Sequence, residues 1–108
     1  MQHNLVRLIG YVGEDLKIKT TSKGTKMTIL RVSTHDFLRK EGDENIYTTS
    51  WHQVVAWGGY AEMAERTFVK GSHILVEGSL NHRKYVDENG DDRYMTEIKA
   101  SSLINLDR

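Results

Sequence analysis

Short stretches of alternating or β-branched residues, separated by clusters of Gly, Asn and Asp, dominate the chain. Strands are expected at about Asn4–Val12, Met27–Thr34, Tyr47–Trp57, His73–Val86 and Arg93–Lys99, with a short sixth at Leu103–Leu106. The intervals carry turn chemistry. Ser22-Lys23-Gly24 closes the first hairpin and Glu88-Asn89-Gly90-Asp91 the last, where Asn-Gly suits positive backbone angles. Arg39 to Asn45 reads as an exposed, mobile loop. One segment leaves the two-residue period: between Gly59 and Val69, the residues Tyr60, Met63, Ala64, Thr67 and Phe68 recur at helical spacing. They mark a short amphipathic helix that ends before Lys70-Gly71.

Three strands, a helix and two further strands is the order of the OB-fold. That fold is an all-β, five-stranded Greek-key barrel, here with one short helix between strands 3 and 4, whose face and loops bind oligonucleotides. No internal repeat or low-complexity stretch interrupts the chain, so residues 1–108 read as one domain.

Composition narrows the function classes. A content of 38% hydrophobic and 28% charged residues is that of an ordinary globular domain. A domain of 108 residues also gains from association with copies of itself. The absence of cysteine removes disulfides, thiolate metal sites and cysteine nucleophiles, and suits the cytoplasm. No apolar run approaches the roughly 18 residues of a spanning helix, and the start MQHNLVRLIG lacks the form of a secretion signal. A net charge of zero argues against nucleic-acid binding by bulk positive charge. The charge is unevenly spread: Met1 to Lys40 holds eight basic residues against three acidic ones.

The most informative segment is Ser50 to Gly58, SWHQVVAWG. Strand alternation sends Trp51, Gln53, Val55 and Trp57 to one face and His52, Val54 and Ala56 to the other. Buried in a core, two indole N–H groups and an amide would all need partners; a partly exposed face suits them better. Spaced, exposed aromatics are what single-stranded nucleic acid requires, because every base offers a stacking surface. His82-Arg83-Lys84-Tyr85 and Asp36-Phe37-Leu38-Arg39-Lys40 interleave further aromatics with the cations that phosphates need.

An enzymatic alternative would use Asp87, Glu88, Asp91 and Asp92 to hold divalent cations for a nuclease or phosphatase. These acids flank an Asn-Gly turn, where carboxylates ordinarily serve as solvated turn formers. The histidines His3, His35, His52, His73 and His82 lack zinc spacing, and no nucleotide-binding glycine loop is present. The expectation is a binding protein with neither catalytic residues, metal nor cofactor. A second alternative keeps the barrel as a replication-accessory module for RNA, protein or oligosaccharide.

In order along the chain, NLVRLIGYVG (4–13), SWHQVVAWG (50–58), AEMA (61–64), VKGS (69–72), VEGSL (76–80) and RKYVDENGDDRYMTE (83–97) resemble the bacterial single-stranded DNA-binding protein family. The resemblance implies an OB-fold, a homotetramer and sequence-independent wrapping of single-stranded DNA in replication, recombination and repair. Residue by residue, it implies stacking aromatics at Phe37, Trp51, Trp57 and Tyr85, with Trp57 and Tyr85 replacing a more usual phenylalanine and tryptophan. It implies phosphate contacts at Lys40, Lys70, Arg83 and Lys84, and a subunit-interface role for His52.

The sequence also departs from the family. Gln53 and Gly59 stand where members often carry a basic residue, and Glu14-Asp15-Leu16-Lys17 lacks a usual proline. The family typically ends in a flexible linker and an acidic tip that recruits replication and repair proteins. This sequence stops at Asn105-Leu106-Asp107-Arg108, either as a trimmed domain or as a chain without such recruitment.

Overall fold

The computed structural model describes residues 3–107. Its elements are β1 (Val6–Val12), β2 (Lys17–Thr20), β3 (Lys26–Glu41), β4 (Glu44–Trp57), α1 (Gly59–Thr67), β5 (His73–Val86) and β6 (Asp92–Asn105). The strands form one sheet in the order β1-β5-β6-β4-β3-β2, and β1 pairs with β3 as well, which closes the sheet into a barrel. β1 and β2 lie in succession along β3: Tyr11 and Val12 oppose Ser33 and Val32, then Lys17 to Thr20 oppose Ile29 to Lys26. They act as the two arms of one interrupted strand. Counted so, five strands close the barrel and the helix falls between the third and fourth, the OB arrangement.

Period-two alternation builds the core. Leu30 and Val32 of β3, Val54 and Ala56 of β4, Ile74 and Val76 of β5, and Ile98 and Ala100 of β6 point inward and are buried. The helix closes one end, burying Ala61 and Ala64, with Phe68 beyond it. Thr28, fully buried on β3, donates its hydroxyl to the Ala61 carbonyl at 3.2 Å, satisfying a polar group in this apolar setting.

Three features differ from the expectations. The segment Arg39–Asn45 is not a loop but the end of a long hairpin, in which β3 and β4 pair out to Glu41 and Glu44. Only Gly42 and Asp43 turn the chain; Gly42 has φ 59°, and among the described residues no non-glycine residue has positive φ, which fits a type II′ turn. β6 is one continuous strand where two were expected. Ser101 is an unpaired extra residue between the pairs Gly78–Ala100 and Glu77–Ser102, so the core positions step from Ala100 to Leu103. The whole of β2 is additional, and each of its residues is exposed.

The two long hairpins stand out from the barrel. The radius of gyration is 15.8 Å, against about 13 Å for a compact domain of this length. Among the described residues, no helix is long and apolar enough to cross a membrane.

Candidate nucleic-acid interface

The face reading of β4 holds in the structure. Trp51 and Trp57 are exposed, while Val54 and Ala56 on the alternate face are fully buried. Cross-strand pairing extends that face. Ser33 opposes Trp51, His35 opposes Thr49 and Phe37 opposes Tyr47, so Phe37, Tyr47 and Trp51 occupy one side of the hairpin. Phe37 and Tyr47 meet edge to face, with ring centroids 6.1 Å apart. Phe37, Trp51, Trp57 and Tyr85 are 38–59% exposed, which makes them surface residues rather than core residues.

Small residues set the position of Trp51. Ser33, directly opposite on β3, is nearly buried, and Gly13 lies just past the end of β1. The benzene ring of the indole fills the space a Cβ at Gly13 would need. The Gly13 amide donates to the Arg31 carbonyl at 2.8 Å, which ties this glycine to β3. The Arg31 guanidinium lies over the Trp51 ring at 5.2 Å from its centroid, within the range of cation–π attraction.

Beside Trp51, an open groove of about 370 Å³ runs between β2 and β3 on one side and the β5–β6 hairpin on the other. Its lining includes Lys17, Lys19, Arg31, Gln53, Arg83 and Tyr85. Behind two of its lining residues the Glu97 carboxylate is buried yet fully engaged: Arg83 pairs with it at 3.2 Å and the Gln53 amide donates to it at 3.1 Å. Arg83 is thus already committed to an acid within the chain.

The structure brings some expected site residues together and separates others. Tyr85 shares the groove with Gln53 and Arg83. Lys84 projects from the opposite face of β5, paired with Asp92 at 3.1 Å. Lys40 reaches the aromatic side because Leu38 is a bulged, unpaired residue. That bulge flips the alternation and sets Lys40 opposite Asn45, on the side of Tyr47 and Trp51. Lys70 sits in a turn held to the end of β1, where the Gly71 amide donates to the Val12 carbonyl at 2.7 Å. Trp57 lies six residues from Trp51, roughly 20 Å along an extended strand, too far for one base to touch both. His52 points away from the aromatic face and is half-buried, with Nε2 2.9 Å from the Thr34 hydroxyl.

Two residues of this surface escaped the sequence reading. Tyr47 falls on the aromatic face only once its pairing with Phe37 is known, and Arg31 only once Trp51 is seen to reach across β3. Among the acids of the last hairpin, Asp87 is a turn organiser. The Arg93 guanidinium at 2.7 Å, followed by the backbone amides of Asp91 and Asn89, holds its carboxyl below the usual carboxylate range.

Comparison with known proteins agrees with this geometry. The chain is 39% identical over 101 residues to single-stranded DNA-binding protein 1 of Xylella fastidiosa (strain 9a5c), covering 93% of this chain and 74% of that protein. Its fold matches that of the Plasmodium falciparum SSB solved in complex with ssDNA, with a TM-score of 0.86 and 31% identity over 99% of this chain and 97% of the other. The model of the single-strand binding protein family matches residues 3–106. With the barrel, the aromatic face and the groove in agreement, the chain belongs to the single-strand binding protein family.

Proposed function

We propose that this protein binds single-stranded DNA without regard to sequence and protects it during replication, recombination and repair. The observation that carries this reading is the row of half-exposed aromatics, Phe37, Trp51 and Trp57 on β3 and β4 and Tyr85 across the groove. Each offers a ring to a base, and stacking is worth about 1–3 kcal/mol per base whatever the base is. Tyr47, edge-on to Phe37, extends the row. Lys40, Lys70 and Lys84 supply charge for phosphates, and Arg83, held by Glu97, adds positive field to the groove without leaving its partner, so affinity falls as salt rises. No bond is made or broken: the chemistry is stacking and ion pairing alone.

Assembly as a homotetramer completes the proposal by presenting several such faces to one strand. An apolar row on the outer surface supports it. Ile9, Leu75 and Ile104 sit side by side across β1, β5 and β6, between the Tyr11–His73 stack and the Arg7–Glu77 ion pair. His52, on the side of β4 away from the aromatics, is assigned to a subunit contact.

Fluorescence anisotropy with labelled oligo-dT tests the reading, with unlabelled oligo-dT, duplex and oligo-U as competitors. Displacement by single-stranded DNA and not by duplex supports it. Preferential displacement by oligo-U would move the function to RNA.

A further inference from the structure

Resting on the single-strand reading above, we propose that Arg31 is the residue that receives the DNA phosphate at the centre of the groove, with Trp51 holding its guanidinium in place. Four observations converge on it. Arg31 stands directly opposite Gln53 in the β3–β4 ladder, so this middle rung of the face carries one cation and one neutral amide. Its guanidinium lies over the Trp51 indole, at 5.2 Å from the ring centroid. A base that stacks on Trp51 therefore brings its own phosphate beside this charge.

The competing acid is weak. Glu14 lies 3.8 Å from Arg31, and both side chains are nearly half exposed, the setting in which an ion pair contributes little and exchanges readily. Arg83, the other arginine of the groove, is in the opposite situation. Its partner Glu97 is buried, and moving Arg83 to a phosphate would strand that carboxylate. Of the two, Arg31 is the arginine free to change partners. Its planar fork matches a phosphate bidentately while the guanidinium stays over the indole. On binding, the guanidinium exchanges Glu14 for phosphate, and the base occupies the indole surface that Arg31 leaves open.

The test is an oligo-dT titration across a salt series with the full chain and three variants, Arg31→Gln, Arg31→Lys and the double variant Arg31→Gln/Gln53→Arg. Arg31→Gln is expected to bind about tenfold more weakly at low salt, with the slope of log affinity against log salt shallower by about 0.7, the value of one phosphate contact on a single strand. Arg31→Lys keeps the slope. The double variant, which moves the cation across the same rung, regains it. Wild-type slope and affinity in Arg31→Gln would overturn the assignment and leave the single-strand reading standing. Lost affinity with an unchanged slope would also overturn it, because Arg31 would then act only by placing Trp51. A double variant that keeps the shallow slope counts against charge at this rung. Failure of the wild-type chain to bind oligo-dT would overturn the single-strand reading and this assignment with it.

Discussion

Trp51 and Gly13 share one space: the benzene ring of the indole lies where a Cβ on Gly13 would be. The position of the indole proposed as the central stacking surface therefore depends on a residue just past the end of β1 that has no side chain. Gly13→Ala should keep the barrel but push the indole out of place, lowering affinity for oligo-dT by about 1 kcal/mol, the lower end of one stacked base. Gly59→Ala is the control, because nothing lies within 4 Å of a Cβ there. Circular dichroism and anisotropy on both variants check the contrast.

Removing the platforms themselves has a larger effect. Trp51→Ala and Trp57→Ala should each weaken binding to single strands of any sequence by about 1–3 kcal/mol. Both indoles are exposed enough that the fold survives. Because the two rings serve different bases, the double variant should lose close to the sum, measured by anisotropy with dT and dA oligomers.

Much of this surface was readable in the chain, and the failures have physical causes. Alternation in Ser50–Gly58 separated the two faces because Val54 and Ala56 are buried on one while Trp51 and Trp57 are exposed on the other, with Val55 the one buried apolar residue on the aromatic side. The far ends of β3 and β4 gave no such signal. His35, Asp36, Arg39 and Lys40 are polar and solvated on both sides of the hairpin, so their pairing is set by the ladder and the Gly42 turn rather than by burial. The bulge at Ser101 shifted the inward positions of β6 by one residue, which made one strand look like two. Lys17–Thr20 is exposed throughout and buries nothing that a pattern could register. Arg31 of the groove and Tyr47 of the aromatic face depend on cross-strand neighbours, which sequence order does not reveal.

The Glu97 site predicts a split between two adjacent cations. Arg83→Ala removes the partner of a buried carboxylate, and Arg83 is itself about half exposed, so a stability loss of roughly 1–2 kcal/mol is expected after allowing for solvent screening. Lys84→Ala breaks only the exposed pair with Asp92 and should leave stability unchanged within about 0.5 kcal/mol. Urea denaturation of the two variants measures the difference. Glu97→Gln in the Arg83→Ala background should recover part of the loss.

The tip of the last hairpin should loosen in acid. The carboxyl pKa of Asp87 is held below its ordinary value by Arg93 first and then by backbone amides. A depressed folded value means that the contribution is complete above the unfolded pKa and is lost as pH falls through the folded one. Amide exchange at Asn89 and Asp91, whose N–H groups donate to Asp87, should therefore accelerate only below the ordinary carboxylate range. In Asp87→Asn that acid-dependent step should vanish.

The most direct test of the account is tryptophan fluorescence during titration with oligo-dT and with a matched duplex, each at two salt concentrations. The chain has two tryptophans, Trp51 and Trp57, and both lie on the aromatic face. Strong quenching by oligo-dT, weaker at high salt and absent with duplex, is the predicted result. Equal quenching by duplex, or none by either, would contradict base stacking on this face.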